Sequence, residues 1–356
     1  MAQGTQPNRR NSRRKRMEEE ALQDRLQQEK EERERRQQTI IGSVAVAIVV
    51  VIALVIGGLW LHSHLQKRAD SLESQKAAAY QAVQAVKEKP SSATAEGGFV
   101  FSKDGVGDSL SSVPTVEDYM DFICPACGTV NRGLDATLIS LVNSGQINLE
   151  VHPEGFLDAS STDEYSTRAA AAVVYVIEND PNHALQFIAA LFSQKNQPAE
   201  ASGYKPVSNE QIRKIALSAG VDSTVAAACI KGTYIPWVKA MAKYTPLRKE
   251  LWNHTLTSGE GMTTPTFRIN KNYWRFNDYE HGSDWKGNFL TAIGLTAQQV
   301  GTSAKPTIGE KGAPISPASR PAGTGTGSSS GSGSGNGTGS GSSGSGSSGS
   351  GSTGSK

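Results

Sequence analysis

The alternation of apolar and polar positions divides this chain into very unequal parts. From Ile40 to Leu61 no charge interrupts a run rich in Val, Ile, Ala and Leu. From Gly98 onward shorter apolar stretches alternate with polar ones. Gly98–Lys103 and Thr115–Ile123 read as strands, Cys124–Asn143 as a helix and Gln146–His152 as another strand. Between residues 163 and 254 the period becomes helical. Helices are expected at Tyr165–Glu178, His183–Ser193, Asn209–Ala219, Ser223–Lys231 and Trp237–Trp252, with breaks at Pro181, Gly203, Gly220 and Pro236. Thr266–Asn270 and Tyr273–Asn277 then read as strands joined by a tight Asn270-Lys271-Asn272 turn, and Asp284–Gly294 as a last helix.

At 1.5 Å per residue, the run from Ile40 to Leu61 extends about 33 Å, enough for a hydrocarbon core of ~30 Å. Trp60 suits an interfacial anchor. Arg25, Lys30, Arg33, Arg35 and Arg36 precede the run, and Lys67, Arg68 and Lys76 follow it. This bias places the N-terminus in the cytoplasm and the rest outside, at the cell membrane. A cleaved leader is disfavoured, because the basic segment is long and Leu61-His62-Ser63-His64 is a poor cleavage site.

The expected organisation is a charged cytoplasmic segment over 1–39, a single transmembrane helix over 40–61, a stalk and linker over 62–97, and one α/β domain over 98–299. A helical insertion occupies about 160–255 of that domain, and a disordered Pro/Gly/Ser-rich tail follows over 300–356. Met17–Gln38 pairs Glu29 with Arg33 and Glu32 with Arg36, the order that supports an exposed helix. Ala69–Lys87 has helical composition, and Pro90–Gly98 reads as flexible. The formal net charge of +2 gives no reason to propose nucleic acid as a partner.

The chemistry is concentrated in Cys124-Pro125-Ala126-Cys127, which follows an apolar strand and opens a helix. Thiols so spaced on a first helical turn lie on one face, close enough to bridge. The helix start favours the thiolate of Cys124, and Pro125 costs nothing there because its missing N–H needs no partner. Cys124 is expected to be the exposed nucleophile and Cys127 the buried resolving thiol. A zinc site would need more ligands than one Cys pair, and only His62 and His64 are closely spaced histidines. A structural bridge across so short a loop would constrain the unfolded chain little. Redox chemistry, with no separate cofactor or metal, is the favoured reading. Cys229, in Ala226-Ala227-Ala228-Cys229-Ile230, reads as a buried free thiol, with a mixed-disulfide role as its alternative.

The order strand–helix–strand, helical block, strand–strand–helix is that of a thioredoxin fold with a helical insertion. The chain resembles the DsbA-like branch of thioredoxin-fold proteins, especially the membrane-tethered forms of Gram-positive actinobacteria. Asp121-Phe122-Ile123-Cys124-Pro125-Ala126-Cys127, residues 153–171 and Thr264-Pro265-Thr266-Phe267 carry the likeness. The resemblance implies that Pro265 is a cis-proline facing the cysteine pair, with Thr264 before it. It also implies a buried acid beneath the disulfide that shuttles protons, for which Asp121 or Glu117 are candidates; either is alternatively an exposed strand-end carboxylate. His152 and Glu154 are weaker candidates. The expected activity is protein disulfide oxidation outside the cytoplasm by a monomer acting on cysteine-containing secreted proteins. Reoxidation would come from a membrane partner of the DsbB or vitamin K epoxide reductase type. A reductase or isomerase, for example in c-type cytochrome maturation, and a non-catalytic envelope scaffold are the alternatives.

Overall fold

The computed structural model describes residues 70–253, 260–275 and 284–316, together with residues 14, 16, 17, 25 and 30. The apolar run over 40–61, most of the charged segment before it and the Gly/Ser tail beyond 316 lie outside the described residues. Among the described residues no helix is long and apolar enough to cross a membrane.

Helix α1 covers residues 70–85. It buries Val83 and sets Tyr80 against Tyr244, ring centroids 5.2 Å apart. Strands β1 (Phe99–Ser102), β2 (Gly105–Val106) and β3 (Thr115–Asp121) follow, then α2 (Pro125–Asn143) and β4 (Asn148–Glu154). The insertion supplies α3 (Tyr165–Asn179), α4 (Pro181–Phe192), α5 (Asn209–Ser218), α6 (Ser223–Cys229) and α7 (Ile235–Tyr244). Strands β5 (Trp252–Asn253) and β6 (Gly261–Met262) form a separate pair. The chain then adds β7 (Thr266–Ile269), β8 (Asn272–Tyr273) and α8 (Trp285–Ala292).

The main sheet has the order β2-β1-β4-β3-β7-β8, with β3 and β4 parallel and the other pairs antiparallel. A parallel pair needs a crossover, and α2 provides it. The β7–β8 turn places Asn270 and Lys271 at φ 48° and 67°, the left-handed pair that matches strand twist in a two-residue hairpin.

The faces of the central strands differ in chemistry. Met120, Leu149 and Val151 lie with Leu138 of α2 and Leu185 and Ile188 of α4 on an apolar side. The opposite side is polar and still buried. Register pairs Glu117 with Glu150, Tyr119 with His152 and Asp121 with Glu154. Arg268 Nη1 sits 3.1 Å from Glu117, and Arg248 donates to Tyr119 Oη at 3.3 Å. The Tyr119 and His152 rings stack, centroids 3.9 Å apart.

Three expectations need correction. The segment expected as a flexible linker, Pro90–Gly98, is strapped to the domain. The backbone and hydroxyl groups of Ser91 and Ser92 all donate to the Glu178 carboxylate, Thr94 donates to Glu150 at 3.0 Å, and Glu96 pairs with Arg248 at 2.7 Å. These partners are distant in sequence, so local composition conceals them. The expected helix Trp237–Trp252 ends at Tyr244, where Pro246 enforces two short 3₁₀ turns, Thr245–Leu247 and Lys249–Leu251. The tail expected to be disordered from residue 300 is part of the domain as far as 316. Buried Gln146 donates to the carbonyls of Gln299 and Ala304, and Thr307 and Ile315 donate to Ile293 and Ala292 at 2.9 and 2.8 Å.

Candidate active site

Cys124 is the N-cap of α2, with extended backbone (φ −65°, ψ 117°) and Pro125 immediately inside the helix. Its backbone N–H donates to the Asp121 carbonyl at 3.0 Å, which folds the strand end onto the helix start. The Cys127 N–H donates to Cys124 Sγ at 3.4 Å, one of the free donors of a first helical turn. Pro125 and Ala126 are exposed and Cys127 is fully buried; Cys124, expected to be exposed, is itself buried, at 6% exposure, because the Thr264–Pro265 loop packs over its sulfur. All three cysteines carry free thiols.

The paired thiols have opposite electrostatics. The hydrogen bond from the Cys127 thiol is the largest influence on Cys124 and lowers its pKa to about 6. Burial opposes this, and the N–H groups of Cys127 and Ala126 add to the lowering. Burial, and then the hydrogen bond to Cys124, push the Cys127 thiol well above the ordinary thiol range. One sulfur is therefore stabilised as a thiolate near neutrality although only its edge reaches the surface, and the other is held as a protonated thiol. The Thr264–Pro265 peptide is cis and brings the Thr264 carbonyl to 3.4 Å from Cys124 Sγ, while the Thr264 side chain favours the thiolate. Pro265 is buried and Thr264 half-buried beside the pair.

The two acids singled out from sequence lie on the polar side of β3. Glu117 is held by Arg268 at 3.1 Å, Lys271 at 3.5 Å and the Tyr119 hydroxyl at 3.0 Å, and is turned away from α2. Asp121 Oδ1 accepts from Ile123 N at 3.1 Å and Ser166 Oγ at 2.6 Å, and its Oδ2 accepts from Leu157 N at 3.1 Å. Burial lifts its pKa to about 7 against these donors, and the charge of Cys124 adds to the rise. Asp121 thus ties the loop after β4 and the first turn of α3 to the strand that ends at the thiols. Glu154, its register partner, is pushed up to about 8 by burial. His152 lies 3.3 Å from Glu150.

The acid that faces the thiols is Asp118, which sequence reasoning missed. It is 1% exposed, its Oδ1 has no hydrogen-bond partner, and burial followed by the charge of Asp135 in α2 raises its pKa well above the carboxylate range. Its charge acts on Cys127. The available signal was parity: Asp118 shares its side of β3 with Met120, whereas Glu117 and Asp121 have the other. Cys229 in α6 is a buried thiol that donates to the Ala226 carbonyl at 3.3 Å, with burial pushing its pKa up to about 11. That is the chemistry of a small hydrophobe. Among the described residues no group of three or more His, Cys, Asp or Glu is placed to hold a metal ion.

Comparison with known proteins follows the same lines. The family model described as Thioredoxin matches residues 106–281. The reduced form of the disulfide bond oxidoreductase DsbG from Mycobacterium tuberculosis is 30% identical, over 47% of this chain and 78% of that one, with a TM-score of 0.39. The chain belongs to the thioredoxin family. Oxidised DsbA from Mycobacterium tuberculosis is 29% identical, over 50% of this chain and 85% of that one, with a TM-score of 0.40. The serine/threonine-protein kinase PknE of the same organism is 34% identical over 131 residues, 36% of this chain. The match covers 23% of that kinase's own length.

Proposed function

We propose that this chain is a thiol–disulfide oxidoreductase of the DsbA-like type, working as an oxidase that introduces disulfides into cysteine-containing proteins outside the cytoplasm. The observation that carries the reading is the asymmetry of the pair: a Cys124 sulfur stabilised as thiolate beside the exposed Pro125 and Ala126, and a fully buried Cys127 with the opposite shift. In the oxidised enzyme, a substrate thiolate attacks Cys124 Sγ, the Cys124–Cys127 bond breaks, and Cys127 leaves with the electron pair. Cys127 then takes a proton, and Asp118 is the buried acid on its side of the strand. A second substrate thiolate attacks the substrate sulfur of the mixed disulfide and expels Cys124 as thiolate. The substrate has lost two electrons and two protons, and the enzyme pair is a dithiol. A leaving group stabilised in this way favours oxidation of others.

In this reading the run over 40–61 anchors the domain, with the basic segment on the cytoplasmic side and the thiols in a compartment where disulfides persist. A membrane quinone reductase of the DsbB or vitamin K epoxide reductase type returns the pair to the disulfide, and the enzyme acts as a monomer. The deciding experiment is the reduction potential of the full-length protein. A value near about −120 mV fits the oxidase, and one near about −270 mV overturns it in favour of a reductase or isomerase. Trapping on Cys124 after Cys127→Ala should recover secreted proteins. Labelling of that thiol in intact cells by a membrane-impermeant reagent checks the compartment.

A further inference from the structure

The turn after α4 places one neutral side chain on the active-site turn from outside it. Gln197 Nε2 donates to the Cys124 carbonyl at 2.9 Å and to the Phe122 carbonyl at 3.4 Å. Its Oε1 accepts from Arg132 Nη1 at 2.9 Å, and the same guanidinium donates to the Phe192 carbonyl at 2.8 Å. Phe122 and Phe192 stack beneath this contact, centroids 4.9 Å apart. Helix α4 and the chain after it are thus joined to the start of α2 by an amide, a guanidinium and a ring pair.

Gly128 makes room for the arrangement. A Cβ built on it would lie 1.8 Å from Gln197 Oε1 and 2.6 Å from Arg132 Nη1. Both atoms are the far ends of flexible side chains, so a methyl group there would expel Gln197 rather than break the helix. Gly128 lies in the first turns of α2, where alanine is otherwise the better helix former.

We propose that Gln197 is a positioning residue for Cys124, a clasp from the helical insertion that holds the Phe122 and Cys124 carbonyls so that the Cys127 N–H stays aimed at the Cys124 sulfur. Two effects act in the same direction. The clasp fixes the N-cap geometry on which the thiolate donors depend, and it offsets the negative ends of two carbonyl dipoles beside a developing anion. The titratable group that acts on the sulfur is Cys127, and Asp121 in turn responds to the charge of Cys124. Arg132 meets it through Gln197, and the Thr264 loop presents neutral groups. The inference rests on the reading of Cys124 as the sulfur that forms the mixed disulfide and leaves as thiolate.

The test is a double-variant cycle on the reduced full-length protein, read by the ultraviolet absorbance of the Cys124 thiolate against pH. Gln197→Ala should raise the thiolate midpoint by about half a pH unit, roughly a threefold loss of thiolate below the midpoint. Gly128→Ala should raise it equally, and the double variant should match either single one, because both remove the same contact. Thermal unfolding gives an independent sign. Gly128→Ala should lower Tm in the wild-type background and raise it in the Gln197→Ala background, where the flexible Arg132 guanidinium, freed of its amide partner, can move aside and the helix-forming advantage remains. An unshifted midpoint in Gln197→Ala, or shifts that add in the double variant, overturns the clasp. A wild-type protein with no thiolate titrating below the ordinary thiol range overturns the reading of Cys124 beneath it.

Discussion

The lowered pKa of Cys124 has a consequence for stability that can be measured without any substrate. In the reduced protein the group moves from 9.0 to about 6 on folding. Between those values the unfolded chain binds a proton that the folded chain does not, so stability rises with pH through that window and is lost as pH falls through about 6. The full difference is about 4 kcal/mol, of which about 1.4 kcal/mol is present at pH 7. Other groups titrate in the same range with the opposite sign. Asp121 and Glu154 have folded values of about 7 and 8 and lose stability as pH rises toward them. The perturbation is therefore Cys124→Ser, and the quantity is a difference. Urea unfolding of reduced wild type and variant, from about pH 5 to pH 9, cancels Glu154 and all of Asp121 except the small part of its shift that comes from Cys124 itself. The wild-type advantage should grow by about 2–4 kcal/mol across the window, while any constant offset reports only lost packing. Because the thiolate exists only in the dithiol form, the same free energy favours reduction of the pair, by about 90 mV at the alkaline limit. A difference that stays flat from pH 6 to pH 9 refutes the claim that the Cys127 and Ala126 donors hold a thiolate.

Asp118→Asn removes the only carboxyl that faces Cys127 from β3, and should slow thiol exchange at the buried sulfur by about tenfold or more; stopped-flow reduction by a small thiol measures it, and an unchanged rate removes Asp118 from the proton path. Ser166→Ala takes the 2.6 Å donor from Asp121 and should cost about 1–3 kcal/mol. That cost should be larger at about pH 8 than at about pH 5, because only the ionised carboxylate loses its donor; equal costs at both would count against it. Glu178→Ala releases Ser91 and Ser92 together and should cost about 1–3 kcal/mol, with faster hydrogen exchange at those two amides than at β3 as the local signature. Arg268→Met leaves Glu117 buried with only Lys271 and the Tyr119 hydroxyl beside it and should cost about 3 kcal/mol or more, most of it recovered by adding Glu117→Gln; failure of that recovery would show that packing dominates the site.

Much of the architecture was legible because its causes are local. Pro125 after Cys124 marks a helix start, the asparagine-led turn at Asn270 marks a hairpin, and the alanine-rich stretch beginning at Ala169 marks a buried helix. What escaped depends on partners far along the chain. Ser91 and Ser92 look like linker residues until Glu178 accepts from them, and Gly301 looks like tail until Gln146 Oε1 accepts its N–H at 2.8 Å. Composition predicts disorder when no apolar surface compensates the entropy of ordering. Here directed hydrogen bonds to buried side chains supply that compensation.

The misassigned acid has a different cause, and it is informative about the site. In a strand covered on both sides, alternation reports which residues share a face but not which face meets the thiols. Acidic residues stand at both parities of β3: Glu117 and Asp121 at one, Asp118 at the other. The parity of a buried strand is decided by what packs on it. The apolar neighbours of Asp118, with Leu138, Leu185 and Ile188 over them, identify the α2 side, and the guanidiniums of Arg248 and Arg268 identify the other. An acid among aliphatic side chains has few donors and is driven toward its neutral form, which suits a group that gives or takes a proton. An acid with three donors or a guanidinium is kept as an acceptor that holds its neighbours in place. By that criterion Asp118 is the acid that suits the proposed proton transfer, Asp121 braces the end of the strand that carries Cys124, and Glu117 belongs to the ion-pair network behind the sheet.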